Sequence, residues 1–217
     1  MFSAIIVAAG SARRTGLGYN KIFYKIKDKT LIEYSIKPFL DDEDFKEIII
    51  VLSKEDLKEI RSLFSHPKIK YVIGGSTRQK SVFNGLSLVN EEHVFIHDSA
   101  RPNISKEDIL KAKELTVTED AIVLYIPAKD SVVEYSGNKI NKYLKRDLIG
   151  LIQTPQVFNS KLIKKAHSLA INNKNTYTDD ASLYMNELKN KVYLIEGSEL
   201  NIKATTKLDL FILEELL

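Results

Sequence analysis

The chain has no cysteine, which excludes disulfides, thiolate zinc sites and cysteine nucleophiles together. No apolar stretch approaches the ~20 residues of a membrane-spanning helix. The start, Met1-Phe2-Ser3, carries no basic segment, and the apolar run behind it is too short for a secretory signal. The expectation is a cytoplasmic protein with no membrane partner. An excess of one charge is lacking too: 32 Lys and Arg against 29 Asp and Glu leave a net charge of +3. That suits a small phosphate-bearing ligand, and without clustered aromatics it does not call for nucleic acid. Repeats, low-complexity tracts and linkers are absent. What is there is an ordinary globular composition, 44% hydrophobic and 28% charged over 217 residues. The expectation is one domain over 1–217 with an arm at about 128–150.

Apolar runs at Ala4–Val7, Glu47–Leu52, Ile69–Ile73, Val94–Ile96 and Ala121–Ile126 read as strands, the first two of them buried. Between them lie helix starts of the capping-box type: Thr30-x-x-Glu33, Ser53-x-x-Asp56 and Ser105-x-x-Asp108. Thr77 to Val89 reads as another helix. Strand and helix alternating over the first ~125 residues predict a Rossmann-like, mainly parallel sheet with helices on both faces. Functional residues then belong beyond the carboxyl ends of the strands. After Pro127 the pattern breaks. Asp130–Tyr135, the turn Ser136-Gly-Asn138 and Lys139–Leu144 read as an inserted β-hairpin arm. A lone hairpin is marginal in water, so it packs on a second copy of the chain or folds back on its own domain. Further on, Ser160 and Thr178–Ser182 read as helix caps, Val192–Ile195 as a strand, and Asn201–Thr205 as an extended piece carrying Lys203. Thr206-x-x-Asp209 caps a closing helix.

The first strand runs into Ala8-Ala-Gly-Ser-Ala-Arg-Arg-Thr-Gly-Leu-Gly-Tyr-Asn-Lys21. Small residues there let backbone N–H groups close on an anion, with Arg14 and Lys21 reaching it from the sides. A polyphosphate fits better than a single carboxylate. The stretch is neither a P-loop nor a dinucleotide fingerprint. Gly74-Gly-Ser-Thr-Arg-Gln-Lys-Ser81 closes another strand, and its glycines let a flat ring approach the backbone beside Ser81. At His97-Asp98-Ser99-Ala100-Arg101-Pro102 a carboxylate sits at a strand end, able to hold a magnesium–phosphate assembly or a sugar hydroxyl. The blander alternative is an Asp98–Arg101 salt bridge. His97 is either a base or a structural histidine, and Lys203 either reaches a phosphate or is solvated. No nucleophile elbow is visible. Positioning plus charge neutralisation, without a covalent nucleophile, is the chemistry of nucleotidyl transfer.

With these motifs in order, the chain resembles the 2-C-methyl-D-erythritol 4-phosphate cytidylyltransferase family over nearly its whole length. The resemblance is carried by Ala8-Ala-Gly-x-x-x-Arg14, Lys21, Gly74-Gly-x-x-Arg78-x-x-Ser81-Val82, His97-Asp-x-Ala-Arg-Pro102, Thr154-Pro-Gln156, Thr178-Asp-x-Ala-Ser182 and Asn201-Ile-Lys203. It implies that CTP, with Mg2+ or another divalent cation on its phosphates, reacts with a polyol phosphate and releases pyrophosphate. By the same resemblance Arg14 and Lys21 are catalytic, and Ala8, Ala9, Gly10, Gly75, Ser81 and Asp98 hold the nucleotide, Asp98 also standing beside the metal. Arg146, Lys203, Ser131, Arg101 and Thr178 match substrate contacts. The arm would cross to a partner subunit, with Ser131 and Arg146 serving the neighbour's site in a homodimer.

The chain departs from the family pattern at Ala12, where glycine is usual, at Asn20, where proline is, and at Ile22, where glutamine is. Ser131 replaces threonine and keeps the hydroxyl, and Leu200 stands where many relatives carry aspartate. A ribitol 5-phosphate cytidylyltransferase shares most of the motifs, although Ala8-Ala9-Gly10 and Thr178–Ser182 stand closer to the first family. A catalytically inactive nucleotide-binding regulator is the alternative from another class, opposed by the retained Arg14, Lys21, Asp98, Arg146 and Lys203. An RNA-binding module is opposed by the charge balance.

Overall fold

A computed structural model describes residues 1–10 and 18–217; Arg14 and Ala12 lie outside the described residues. In chain order the elements are β1 (Phe2–Val7), a small hairpin of β2 (Lys25–Ile26) and β3 (Lys29–Thr30), α1 (Leu31–Leu40), β4 (Phe45–Leu52), α2 (Leu57–Leu63), β5 (Ile69–Ile73), α3 (Arg78–Leu86) and β6 (His93–Asp98). There follow α4 (Lys106–Leu115), β7 (Ala121–Pro127), the arm strands β8 (Val133–Ser136) and β9 (Lys139–Tyr143), and β10 (Gly150–Asn159). The chain closes with α5 (Ser160–Asn172), α6 (Asp180–Leu188), β11 (Tyr193–Glu196) and α7 (Lys207–Leu216).

Among the described residues the main sheet has seven strands in the order β11-β7-β10-β6-β1-β4-β5. β1 pairs in parallel with β4 and β6, β4 with β5, and β7 with β11. Alternation along β1 sets the two layers. Ala4 and Ile6 pack with Ile32, Ile36 and Phe39 of α1 and Ile109 and Ala112 of α4. Ile5 packs on the other face with Val82 and Leu86 of α3 and Ile163 of α5. The mainly parallel sheet with helices on both faces is therefore as expected. Local capping explains where several helices begin. The Glu33 carboxylate accepts from both the N–H and the hydroxyl of Thr30 at 2.7 Å. Ser105 accepts from the Asp108 N–H at 3.0 Å, and Thr206 and Asp209 form the same box for α7.

Several boundaries differ from the sequence reading, among them α2, which begins at Leu57 with Asp56 at its N-cap instead of directly after Ser53. α3 ends at Leu86 instead of Val89, and α5 is capped by Asn159, whose side chain accepts from Lys161 and Leu162 N–H, one residue before Ser160. Lys203 lies, as expected, in an extended segment, here outside any strand and tied down by Ala204 N–H donating to Ala100 O at 2.8 Å. The larger difference is β10, antiparallel to both β6 and β7. Its direction follows from the arm. The chain leaves β7 at Pro127 and re-enters opposite it at Gly150, with Ala128 N–H on Ile149 O at 3.0 Å, so the returning strand runs the other way. The arm itself is a separate two-stranded sheet pairing Val133 with Tyr143 and Ser136 with Lys139. Its turn carries Gly137 at φ +56°, a conformation that side chains disfavour.

Candidate active site

The order of the sheet reverses at β1, with β4 on one side and β6 on the other. Chains leaving neighbouring carboxyl ends at such a point diverge and leave a crevice. A cavity of about 420 Å³ lies there, lined by the ends of β1 (Ala8, Ala9, Gly10), β5 (Gly75) and β6 (Asp98, Ser99), together with Lys21, the start of α3 and Lys203. Of the residues singled out from the sequence, Ala8, Ala9, Gly10, Lys21, Gly75, Ser81, Asp98 and Lys203 all line it.

Small residues are required where the β1 and β5 ends meet. A Cβ added at Gly74 would lie 2.5 Å from Ala9 Cβ and 2.8 Å from Ser81 Oγ. The Ser81 hydroxyl, buried in α3, accepts from Gly75 N–H at 3.0 Å and donates to Thr77 O at 2.9 Å. It braces the loop that forms this wall. On the opposite wall Lys21 Nζ donates to the Ala204 carbonyl at 2.5 Å. Asn20 accepts from Ile22 N–H and donates to Asp56 Oδ2 at 2.8 Å. These bonds brace the turn that presents Lys21.

Charge is concentrated around Asp98. Its Oδ1 accepts from Arg78 Nε at 3.1 Å and its Oδ2 from Lys203 Nζ at 2.5 Å. The Asp98–Arg101 pair considered from the sequence does not form. Arg101 instead donates to Asn201 O at 2.5 Å and reaches Ile152 O at 3.5 Å. Burial alone would push the Asp98 carboxyl up, but Arg78 and Lys203 outweigh it and hold the group far below the usual carboxylate range. Arg78 is in turn shared, its Nη1 donating to Asp180 Oδ2 at 2.7 Å. Although burial opposes its charge, Asp180 and Asp98 hold the guanidinium firmly protonated.

His97 is structural. It is fully buried, with Nε2 against Arg101 O at 2.9 Å and Nδ1 against Thr154 Oγ1 at 3.1 Å. A carbonyl only accepts, so Nε2 carries the proton and Nδ1 accepts from the threonine hydroxyl. Burial pushes the imidazole down to about 4, against the Arg101 carbonyl and Asp98, which favour the charged form. The ring is neutral and its nitrogens are occupied.

Not every sequence-derived site residue joins this cavity. Thr178 is exposed just before α6, and Arg101 works behind the site as a clamp on the segment leading to Lys203. Ser131 and Arg146 line a separate concavity in the arm, with Tyr143, Leu144 and Leu148; Arg146 donates to Lys129 O at 3.1 Å. The role of Arg78 escaped the sequence reading. One signal was available: an arginine at the first position of a helix works against the helix dipole, so something else must hold it there. Among the described residues no cluster of three or more His, Asp or Glu could by itself hold a metal. No helix among them is long and apolar enough to cross a membrane.

A family model described as IspD: 2-C-methyl-D-erythritol 4-phosphate cytidylyltransferase matches residues 2–217. The cytidylyltransferase of that name from Caldanaerobacter subterraneus is 40% identical over 220 residues, covering 98% of this chain and 96% of the relative. The one from Halalkalibacterium halodurans is 35% identical over 221 residues, covering 100% and 96%. Among solved structures, the 4-diphosphocytidyl-2C-methyl-D-erythritol synthase from Anaerococcus prevotii superposes with a TM-score of 0.88 at 28% identity, covering 100% of this chain and 95% of that one. The Francisella tularensis 2-C-methyl-D-erythritol 4-phosphate cytidylyltransferase gives 0.85 at 31%, covering 100% and 99%.

Proposed function

The chain belongs to the 2-C-methyl-D-erythritol 4-phosphate cytidylyltransferase family, and we propose that the cavity at the β1/β6 reversal is where it carries out that family's transfer. The enzyme joins CTP and 2-C-methyl-D-erythritol 4-phosphate to give 4-diphosphocytidyl-2-C-methyl-D-erythritol and pyrophosphate, a step of isoprenoid precursor synthesis. A phosphate oxygen of the alcohol phosphate attacks the α-phosphorus of CTP in line. The bond to the β-phosphate oxygen breaks, and its electron pair leaves with pyrophosphate.

The observation that carries the site is the convergence of Lys21, Lys203 and Arg78 with the small-residue ends of β1 and β5 on one cavity. Lys21, fixed at its tip by the Ala204 carbonyl, stabilises the negative charge that builds on the phosphorus in transit. Arg14 has the same role by family resemblance. Ala8, Ala9, Gly10 and Gly75 hold the nucleotide. Ser81 acts on it through Gly75, whose N–H its hydroxyl accepts. Lys203 reaches the phosphate of the alcohol. One carboxylate fits a magnesium ion that keeps several waters and takes its other ligands from phosphates. Asp98 would hold such an ion, which would supply charge neutralisation on the triphosphate.

The arm supports a homodimer. Tyr135, Ile140, Tyr143 and Leu148 are exposed at 54–78%, more apolar surface than an isolated hairpin keeps to itself. A second copy covers it, and Ser131 and Arg146 then serve the neighbour's cavity. The test is pyrophosphate release from CTP and Mg2+ with methylerythritol 4-phosphate and, in parallel, ribitol 5-phosphate. Strong preference for the first is expected. Preference for the second would move the chain to polyol-phosphate metabolism, and release with neither would overturn the transferase reading.

A further inference from the structure

Behind the cavity runs a buried line of charges that the transfer chemistry does not by itself require. Arg78 lies between two carboxylates, Nε on Asp98 Oδ1 and Nη1 on Asp180 Oδ2. Asp180 is almost wholly buried, and its other oxygen, Oδ1, lies 3.1 Å from Nε2 of the fully buried His167. It is also the first residue of α6, where the helix dipole favours an anion. Its backbone is pinned as well. The Gln156 side chain of β10 accepts from the N–H groups of Asp180 and Ala181 at 3.1 and 2.9 Å and donates to Asp179 at 3.0 Å. Asp180 is thus a fixed anion, held from the strand, the helix and the histidine. Asp98, by contrast, is held from the cavity side by Lys203, whose side chain is 37% exposed within an irregular segment.

That asymmetry has a mechanical consequence. Lys203 holds Asp98 Oδ2 and also lines the substrate cavity. When it turns to a substrate phosphate, Asp98 keeps Arg78 as its remaining charged side-chain contact. A guanidinium bound to nothing else would then close on Asp98 with two N–H groups, the preferred geometry for an arginine–carboxylate pair, and draw the carboxylate out of the cavity. With Nη1 pulled to Asp180, Asp98 is met through Nε alone, and the buried Nη2 is left without a hydrogen-bond partner among the described residues.

We propose that Asp180 is a positioning residue for the transfer: it anchors Arg78 from behind, so that the Asp98 carboxylate keeps its place when Lys203 leaves it for a phosphate. The proposal rests on the reading above in which Lys203 serves a substrate phosphate. Asp180 touches no substrate and acts through Arg78.

The experiment compares wild type, Asp180→Asn, Arg78→Lys and the double variant as purified full chains. Steady-state rates with CTP, Mg2+ and methylerythritol 4-phosphate are measured beside thermal unfolding. Asp180→Asn keeps the shape but not the anion, and Arg78→Lys keeps the charge but cannot span both carboxylates. Each single variant is expected to lower kcat about tenfold with KM for CTP within about twofold. The double variant should be no worse than the poorer single, because residues in one contact chain are non-additive. Full kcat in folded Asp180→Asn overturns the proposal, as do losses that multiply in the double variant or appear only in KM for CTP. If Asp180→Asn does not fold, Arg78→Lys carries the test, and unchanged kcat there overturns it equally. An inactive wild type overturns the transferase reading and this proposal with it, whereas an active wild type with an unaffected Asp180→Asn overturns this proposal alone.

Discussion

Replacing Gly74 by alanine tests whether the cavity wall depends on close approach of two strand ends. The new Cβ would lie 2.5 Å from Ala9 Cβ and 2.8 Å from Ser81 Oγ. Carbon atoms in good contact stand about 3.5–4.0 Å apart, so the walls must part by roughly 1 Å. Gly74 cannot retreat freely, because its N–H is bonded to Leu52 O at 2.8 Å. Overpacking of this kind costs about 1–3 kcal/mol, or roughly 2–12 °C in Tm for a chain of this size. The displaced Ser81 loses its hold on Gly75 N–H, so KM for CTP should rise about tenfold, the equivalent of 1.4 kcal/mol of lost binding. Gly85→Ala is the internal comparison. Its Cβ would meet Val51 Cγ2 at 2.9 Å and Ile5 Cγ2 at 3.1 Å, a similar intrusion into the core, but in α3, where alanine recovers about 1 kcal/mol of helix propensity. Gly85→Ala should lower Tm by less and leave KM for CTP unchanged. Thermal unfolding and steady-state kinetics on both variants decide the matter. An unaltered KM in Gly74→Ala, or an equal rise in both variants, would refute the argument that the β1–β5 contact shapes the nucleotide wall.

Lys21→Ala should lower kcat at least about a hundredfold, since an aligned charge on a developing oxyanion is worth roughly 3 kcal/mol; a wild-type rate in folded protein would remove its assigned role. Buried Glu47 joins β1, β4, β5 and the segment before β6 through Ser3, Lys70 and Asn90. Burial alone would raise its pKa, but Lys70, Ser3 and Asn90 outweigh it, and the folded-state value is depressed. Its contribution is therefore complete above the ordinary glutamate value of about 4.3 and lost as pH falls through the lower folded value. Glu47→Gln should cost about 1–3 kcal/mol at pH 7, with the gap from wild type narrowing in acid; denaturant midpoints that differ equally at every pH would contradict this. Arg146→Ala should raise KM for the alcohol phosphate more than KM for CTP. If arms are exchanged, mixing Arg146→Ala with Lys21→Ala chains should restore activity, and verified mixed dimers without rescue would count against the exchange.

How much of this was readable in advance follows from the range of the forces involved. Helix starts set by a cap and its partner three residues on, as at Thr30 and Glu33, were legible because both groups belong to one short segment. The buried strands announced themselves as apolar runs. β10 did not, because its middle is Gln153-Thr-Pro-Gln156, a polar stretch with a proline. Its polar side chains are spent on other elements: Gln153 on Ser198, Thr154 on Asp98 and His97, Gln156 on the start of α6. The site divides the same way. Ala8, Gly75 and Asp98 line one cavity because strand ends in such a sheet point at a common crevice, and Lys21 joins them from the segment that follows β1. The role of Arg78 was not legible, because its purpose is set by Asp98, 20 residues away, and Asp180, 102 residues away. The site motifs therefore mix two kinds of residue. Lys21 and Lys203 present charge to the cavity, while Ser81, Gln156, Arg101 and Asn201 tie together the segments that carry it. A substitution in the second group moves charges it never touches, so the spread between kcat and KM effects, more than loss of activity, separates the residues that contact substrate from those that hold them.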